Sequence, residues 1–195
     1  ILQEAGQIRR QIAKNKKKMK SIQKSIKRER TEEHYDLSTF DTELAEKEQL
    51  PLYYIATMVP YGEEGCRRVE RHRRLRAGKG FETIECFVNL REQELPGKGV
   101  VLLECLSNLT ANEMFEKDGA GDQTVEEVLL GMEALQERCR HLVAVTNDIF
   151  SDGMTYDEST EQYQRRLGQI NQKLAREADR VTEVVCGIPL PVKGA

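Results

Sequence analysis

The chain has 195 residues, 38% hydrophobic and 32% charged, with a formal net charge of -3; this size and apolar content suffice for one compact domain with an ordinary core. It contains no run of eighteen apolar residues and no charged-then-apolar leader with a small-residue cleavage site, so neither a membrane span nor secretion is expected and the reading is cytoplasmic. The five cysteines, Cys66, Cys86, Cys105, Cys139 and Cys186, are odd in number and form no CxxC pair, which argues against a disulfide framework and a structural zinc site. Cys86, Cys105 and Cys186 end apolar runs and read as small buried hydrophobes.

The net charge hides two regions of opposite sign. Residues 1–33 hold eleven Lys or Arg against four Glu, about +7, whereas residues 34–195 hold nineteen against twenty-nine, about -10. In the basic segment Ile8, Ile12, Met19, Ile22 and Ile26 recur at roughly helical spacing around the run Lys16-Lys17-Lys18, which suits an exposed helix or a disordered arm. Such an arm could meet nucleic acid or an acidic membrane. It interleaves no aromatic residue for base stacking, so nucleic acid is not the expected partner. Residues 1–37 therefore read as an arm outside the fold, and residues 38–195 as the folded domain.

From Leu50 onward short β-branched runs alternate with longer segments of helical period. The first strand is expected at 52–58 (LYYIATM). A basic segment follows at 66–76, then strands at 82–87 (ETIECF) and 99–105 (GVVLLEC). Val125, Val128, Leu129, Met132 and Leu135 mark one amphipathic helix, 142–147 (LVAVTN) a further strand, Tyr163, Leu167, Ile170 and Leu174 a second helix, and 181–186 (VTEVVC) a last strand. This alternation predicts an α/β fold, a mainly parallel sheet flanked by helices through right-handed crossovers.

In open α/β sheets ligands bind beyond the carboxyl ends of the strands. Those ends read Thr57-Met58, Glu85-Cys86, Glu104-Cys105, Thr146-Asn147-Asp148 and Cys186-Gly187. Thr, Asn and Asp commonly cap helices there, and capping accounts equally well for Asn147 and Asp148. Glu104 follows four apolar residues, and a carboxylate closing a buried strand is one way to hold Mg²⁺ beside a phosphate.

The segment CRRVERHRRLR packs six arginines around His72, with Glu70 as its one acid. A neutral imidazole attacks phosphorus, and neighbouring guanidinium groups screen an incoming triphosphate and disfavour ring protonation. A basic surface helix with an incidental histidine would show the same spacing. His34 and His141 carry no comparable signal.

The strings YYIATM (53–58), RRVERHRRLRAGKGFETIEC (67–86), VVLLECLSNLTANEMF (100–115), LVAVTNDIFSDG (142–153) and INQKLAREADRVTEVVCGIP (170–189) resemble, in order, the adenosylcobinamide kinase/adenosylcobinamide-phosphate guanylyltransferase family of cobalamin biosynthesis. The resemblance implies a P-loop NTPase fold of the RecA-like type. It implies that His72 is the residue guanylylated by GTP, and that Ala56, Thr57, Met58, Arg73, Arg74, Leu75, Arg76, Glu85 and Glu104 contact nucleotide. It further implies Mg²⁺, GTP and ATP, the acceptors adenosylcobinamide and adenosylcobinamide phosphate, and a homo-oligomer in the form of a small ring such as a trimer.

The family's phosphate-binding loop, GxxxxGK[ST], does not occur in this chain, and residues 1–50 contain one glycine, Gly6. Resemblance resumes around Ser38-Thr39-Phe40 and the run 43–47 (ELAEK), whereas KRERTEEHYDL before them does not fit. Without the loop, whose backbone amides and lysine cradle phosphates, weak or absent kinase activity is expected, with guanylyl transfer surviving in part. The alternative is a catalytically impaired relative that serves as a nucleotide- or partner-binding module.

Overall fold

In the computed structural model, residues 38–150 and 154–194 are described; the basic arm and His34 lie outside them. The first unit, Leu37–Ala178, begins with α1 (Ser38–Glu48) and β1 (Leu52–Ala56), then α2 (Gly62–Arg76), β2 (Phe81–Glu85), β3 (Val100–Glu104), α3 (Leu106–Phe115), α4 (Thr124–Arg138), β4 (His141–Val145) and α5 (Glu158–Glu177). Four strands form one sheet in the order β2-β1-β3-β4, every pair parallel. This is the expected α/β architecture with flanking helices, although each strand stops one or two residues before the predicted carboxyl end.

The inner strand β3 reads VVLLE. A strand covered on both faces needs such a continuous apolar run, and Val100, Val101, Leu102 and Leu103 are all buried. Tyr53 and Ile55 of β1 share one core with Val101 and Leu103, which is closed by Leu109, Val128, Leu135 and Ile170 from α3, α4 and α5. Helical spacing thus places the predicted stripes of α4 and α5 where they bury apolar surface. Gly131 of α4 lets the 3-10 turn Leu90–Glu92 approach closely: a Cβ there would stand 2.9 Å from Leu90 Cβ.

The second unit holds β5 (Val181–Val185) and β6 (Ile188–Lys193), an antiparallel pair. This corrects the expectation that the strand at 181–186 joins the parallel sheet. The two-residue connection has positive φ at both positions, 54° at Cys186 and 84° at Gly187, which suits a tight hairpin turn. Cys186 is accordingly exposed, not buried; Cys86, Cys105 and Cys139 are buried, and Cys66 is exposed.

Candidate functional site

Register assembles the site. Ala56 of β1 pairs with Glu85 of β2 on one side and with Glu104 of β3 on the other, and Glu104 pairs with Val145 of β4. Glu85, Ala56, Glu104 and Val145 therefore form one row at the carboxyl end of the sheet. All four line one pocket. Strand spacing of about 4.8 Å puts the two glutamate backbones roughly 10 Å apart. Side chains alternate between faces, so Tyr54, two residues before Ala56, shares this face with Glu104.

The opposite wall is α2. A helix this charged forms because Glu63 and Arg67, Glu64 and Arg68, and Glu70 and Arg74 pair at four-residue spacing, at 3.0, 2.9 and 3.2 Å. Acids occupy its first turn and arginines its last, in keeping with the helix dipole. None of its residues is buried. Tyr61, just before it, hydrogen-bonds Glu116. At its other end the Arg76 guanidinium carbon lies 3.7 Å from the centre of the Tyr54 ring, which also meets Phe81 edge-on at 6.0 Å.

Each glutamate of the row meets a cationic or ionisable group from α2. Arg73 Nη2 donates to Glu85 Oε1 at 3.0 Å, and His72 Nδ1 stands 3.5 Å from Glu104 Oε1. The Tyr54 hydroxyl donates to the other oxygen, Oε2. Burial alone would raise the Glu104 carboxyl, but hydrogen bonding with His72 and Tyr54 and the charges of His72 and Arg76 hold it below the usual carboxylate range. Burial, and then the Glu104 charge, push the Tyr54 phenol well above its ordinary value. Tyr54 is therefore a donor at all physiological pH.

The pocket gathers Ala56, Met58, His72, Arg73, Arg76, Glu85 and Glu104 from the expected set. It does not gather Thr57, Arg74 or Leu75. Thr57 is fully buried and its hydroxyl is engaged by the backbone of Cys105, accepting from N at 2.7 Å and donating to O at 2.9 Å; it ties β1 to β3. Arg74 pairs with Glu70, and Leu75 is exposed.

Sequence reasoning missed Tyr54, Phe87 and Asn108 in the wall and left Asn147, which also lines it, open between ligand contact and capping. Asn147 Nδ2 donates to Ser107 Oγ at 2.8 Å, so it anchors the loop after β4 as well as facing the pocket. Among the described residues no group of three or more His, Cys, Asp or Glu is placed to hold a metal ion. The pocket encloses about 210 Å³. That is below the roughly 300–1,000 Å³ of common ligand sites, and the pocket is partly open to solvent.

Remote from this end of the sheet, His141 Nε2 lies 3.0 Å from Glu48 Oε1 at the start of β4, tying α1 to the sheet. Among the described residues no helix is long and apolar enough to cross a membrane.

The family model described as cobinamide kinase / cobinamide phosphate guanyltransferase matches residues 37–192 of this chain. Comparison with curated proteins gives no match.

Proposed function

Since this chain belongs to the cobinamide kinase / cobinamide phosphate guanyltransferase family, we propose that it transfers GMP from GTP to adenosylcobinamide phosphate through a guanylyl-histidine on His72. The observation that carries the reading is one pocket in which His72 faces Glu104 while Arg68, Arg73 and Arg76 share its wall. A ring nitrogen of His72 attacks the α-phosphorus of GTP, the bond to the bridging oxygen of the β-phosphate breaks, and pyrophosphate leaves with the electron pair. A phosphate oxygen of the acceptor then attacks the same phosphorus, the P–N bond breaks, and the imidazole is restored. The product is adenosylcobinamide-GDP.

The arginines meet the negative charge that spreads over the phosphoryl oxygens during each displacement, where fixed cations act most strongly. Guanidinium groups suit this work because they stay charged and offer paired donors. Mg²⁺ entering with GTP would neutralise phosphate charge. Both Glu104 oxygens are engaged, so the ion would be held chiefly by phosphate oxygens and water, its usual partners. Glu104 thus serves His72 in this reading.

The family's second activity, phosphorylation of adenosylcobinamide by a nucleoside triphosphate, depends more on a grip on the β- and γ-phosphates. No GxxxxGK[ST] loop occurs in this chain, which favours a weak kinase half and keeps the impaired, ligand-binding relative as the second reading. Supplying labelled GTP and adenosylcobinamide phosphate together separates the readings: labelled adenosylcobinamide-GDP supports transfer, and nucleotide retention without product supports the binding module.

A further inference from the structure

We propose that Tyr54 and Glu104 form a positioning pair that selects Nε2 of His72 as the nucleophilic nitrogen. This rests on the reading of His72 as the guanylyl acceptor and concerns which of its two nitrogens reacts. Of the two, Nδ1 is the one facing the carboxylate, 3.5 Å from Glu104 Oε1. Catalytic hydrogen bonds are often this long before substrate enters, and they shorten in the loaded site.

A carboxylate only accepts. Its approach therefore requires a proton on Nδ1 and leaves Nε2 with its lone pair free. The hydrogen bond at one ring nitrogen determines the state of the other. In water a histidine side chain favours the opposite tautomer, with the proton on Nε2, so the protein must impose this one.

Tyr54 makes the imposition rigid. Its side chain is buried, its ring meets Phe81 edge-on and lies against the Arg76 guanidinium, and its hydroxyl donates to Glu104 Oε2. One carboxylate oxygen is thereby fixed, and the other is aimed at His72. Arg76 sits at the end of the same helix as His72, so its stacking on Tyr54 also sets where the imidazole arrives. As attack proceeds Nε2 bonds to phosphorus, positive charge develops on the ring, and Glu104 stabilises it with the proton remaining on Nδ1.

The test is nitrogen-15 NMR of the full chain labelled in histidine. With three histidines in all, His72 is assigned by comparison with His72→Gln. On the alkaline side of the titration, His72 is expected to show the proton on Nδ1 and an unprotonated Nε2. Tyr54→Phe keeps the ring under Arg76 and should shift His72 toward the common tautomer, and Glu104→Ala should complete the shift. Far-ultraviolet circular dichroism monitors the fold of both variants.

With α-labelled GTP, Tyr54→Phe is expected to slow labelling about tenfold at unchanged half-saturation, and the phosphorus to be coupled to Nε2. Proton on Nε2 in the parent chain, or phosphorus on Nδ1, overturns the proposal. An unchanged tautomer in Tyr54→Phe removes Tyr54 from the pair. The predicted tautomer with no label at all leaves the positioning pair standing and defeats the guanylyl-histidine reading instead.

Discussion

Glu85 and Glu104 lie in one row of the parallel sheet with Ala56 alone between them. Two carboxylates so placed repel each other unless cations intervene. Here α2 brings Arg73 to the first and His72 with Arg76 to the second. The same pairs bring the arginine-histidine segment against the strand ends, so the charge balance of the sheet and the position of His72 have one cause.

This division of labour along α2 predicts a contrast between neighbouring arginines. Arg76→Ala removes the guanidinium over Tyr54 and a cation beside Glu104, and should reduce guanylylation by about two to three orders of magnitude, the scale of losing one preorganised transition-state donor. Arg74→Ala removes a pair on the outer side of the helix, one of the surface kind worth about 0–1 kcal/mol, and should leave labelling unchanged. Arg74→Ala should unfold in urea at nearly the parent midpoint, whereas Arg76→Ala also loses the guanidinium packed over Tyr54 and should be less stable by about 0.5–2 kcal/mol.

Core substitutions behave in the opposite way. Leu103 is fully buried in the inner strand, and Leu103→Ala should cost about 2–5 kcal/mol through lost contacts and a residual cavity. Gly131→Ala must push Leu90 aside and should cost about 1–3 kcal/mol by overpacking. Urea unfolding followed by circular dichroism measures both, and a change within error at either position contradicts the packing described.

The helix α5 supplies a pH signature. Asp157 caps it, accepting from the backbone N of Thr160 at 3.0 Å. Hydrogen bonds from Ser159 and then Thr160 lower its carboxyl from 3.8 to about 2. A depressed folded-state value means that the contribution is present above pH 3.8 and is lost as pH falls through about 2. The difference in unfolding midpoint between the parent chain and Asp157→Ala should therefore shrink as pH drops across that window; a constant difference would show that the cap has no ionic component.

A fourth prediction concerns the two family activities. This chain should bind GTP much more weakly than a relative bearing GxxxxGK[ST], and its phosphorylation of adenosylcobinamide should fall further than its guanylyl transfer. Calorimetric titration measures the first. Equal affinity for the two proteins would show that the pocket alone grips the nucleotide.

Several parts of the site were legible because one residue type in one position sufficed. Glu104 closing VVLLE and His72 among six arginines stood out as departures from the pattern around them. Tyr54 did not, since a tyrosine in an apolar strand reads as core and its hydroxyl acquires a role only through the register of β1 against β3. Parallel register is set by tertiary packing, and no local spacing encodes it. Thr57 shows the reverse case: the resemblance implies a nucleotide contact there, and the structure adds that its hydroxyl serves the Cys105 backbone.

The hairpin had a signal of its own. Pro189 and Pro191 alternate in β6 opposite Val184 and Thr182, and proline is confined to sheet edges because it donates no ladder bond. With Cys186-Gly187 before them, they mark a turn and an edge strand, so VTEVVC belongs to a hairpin despite its β-branched composition.

The most direct test of the central claim is covalent labelling. The chain is incubated with α-labelled GTP and Mg²⁺, denatured, and compared with His72→Ala. Label that stays on the denatured parent chain, is released by acid and is missing from the variant is the predicted result; no label on the parent chain, or equal label on both, would contradict guanylyl transfer through His72.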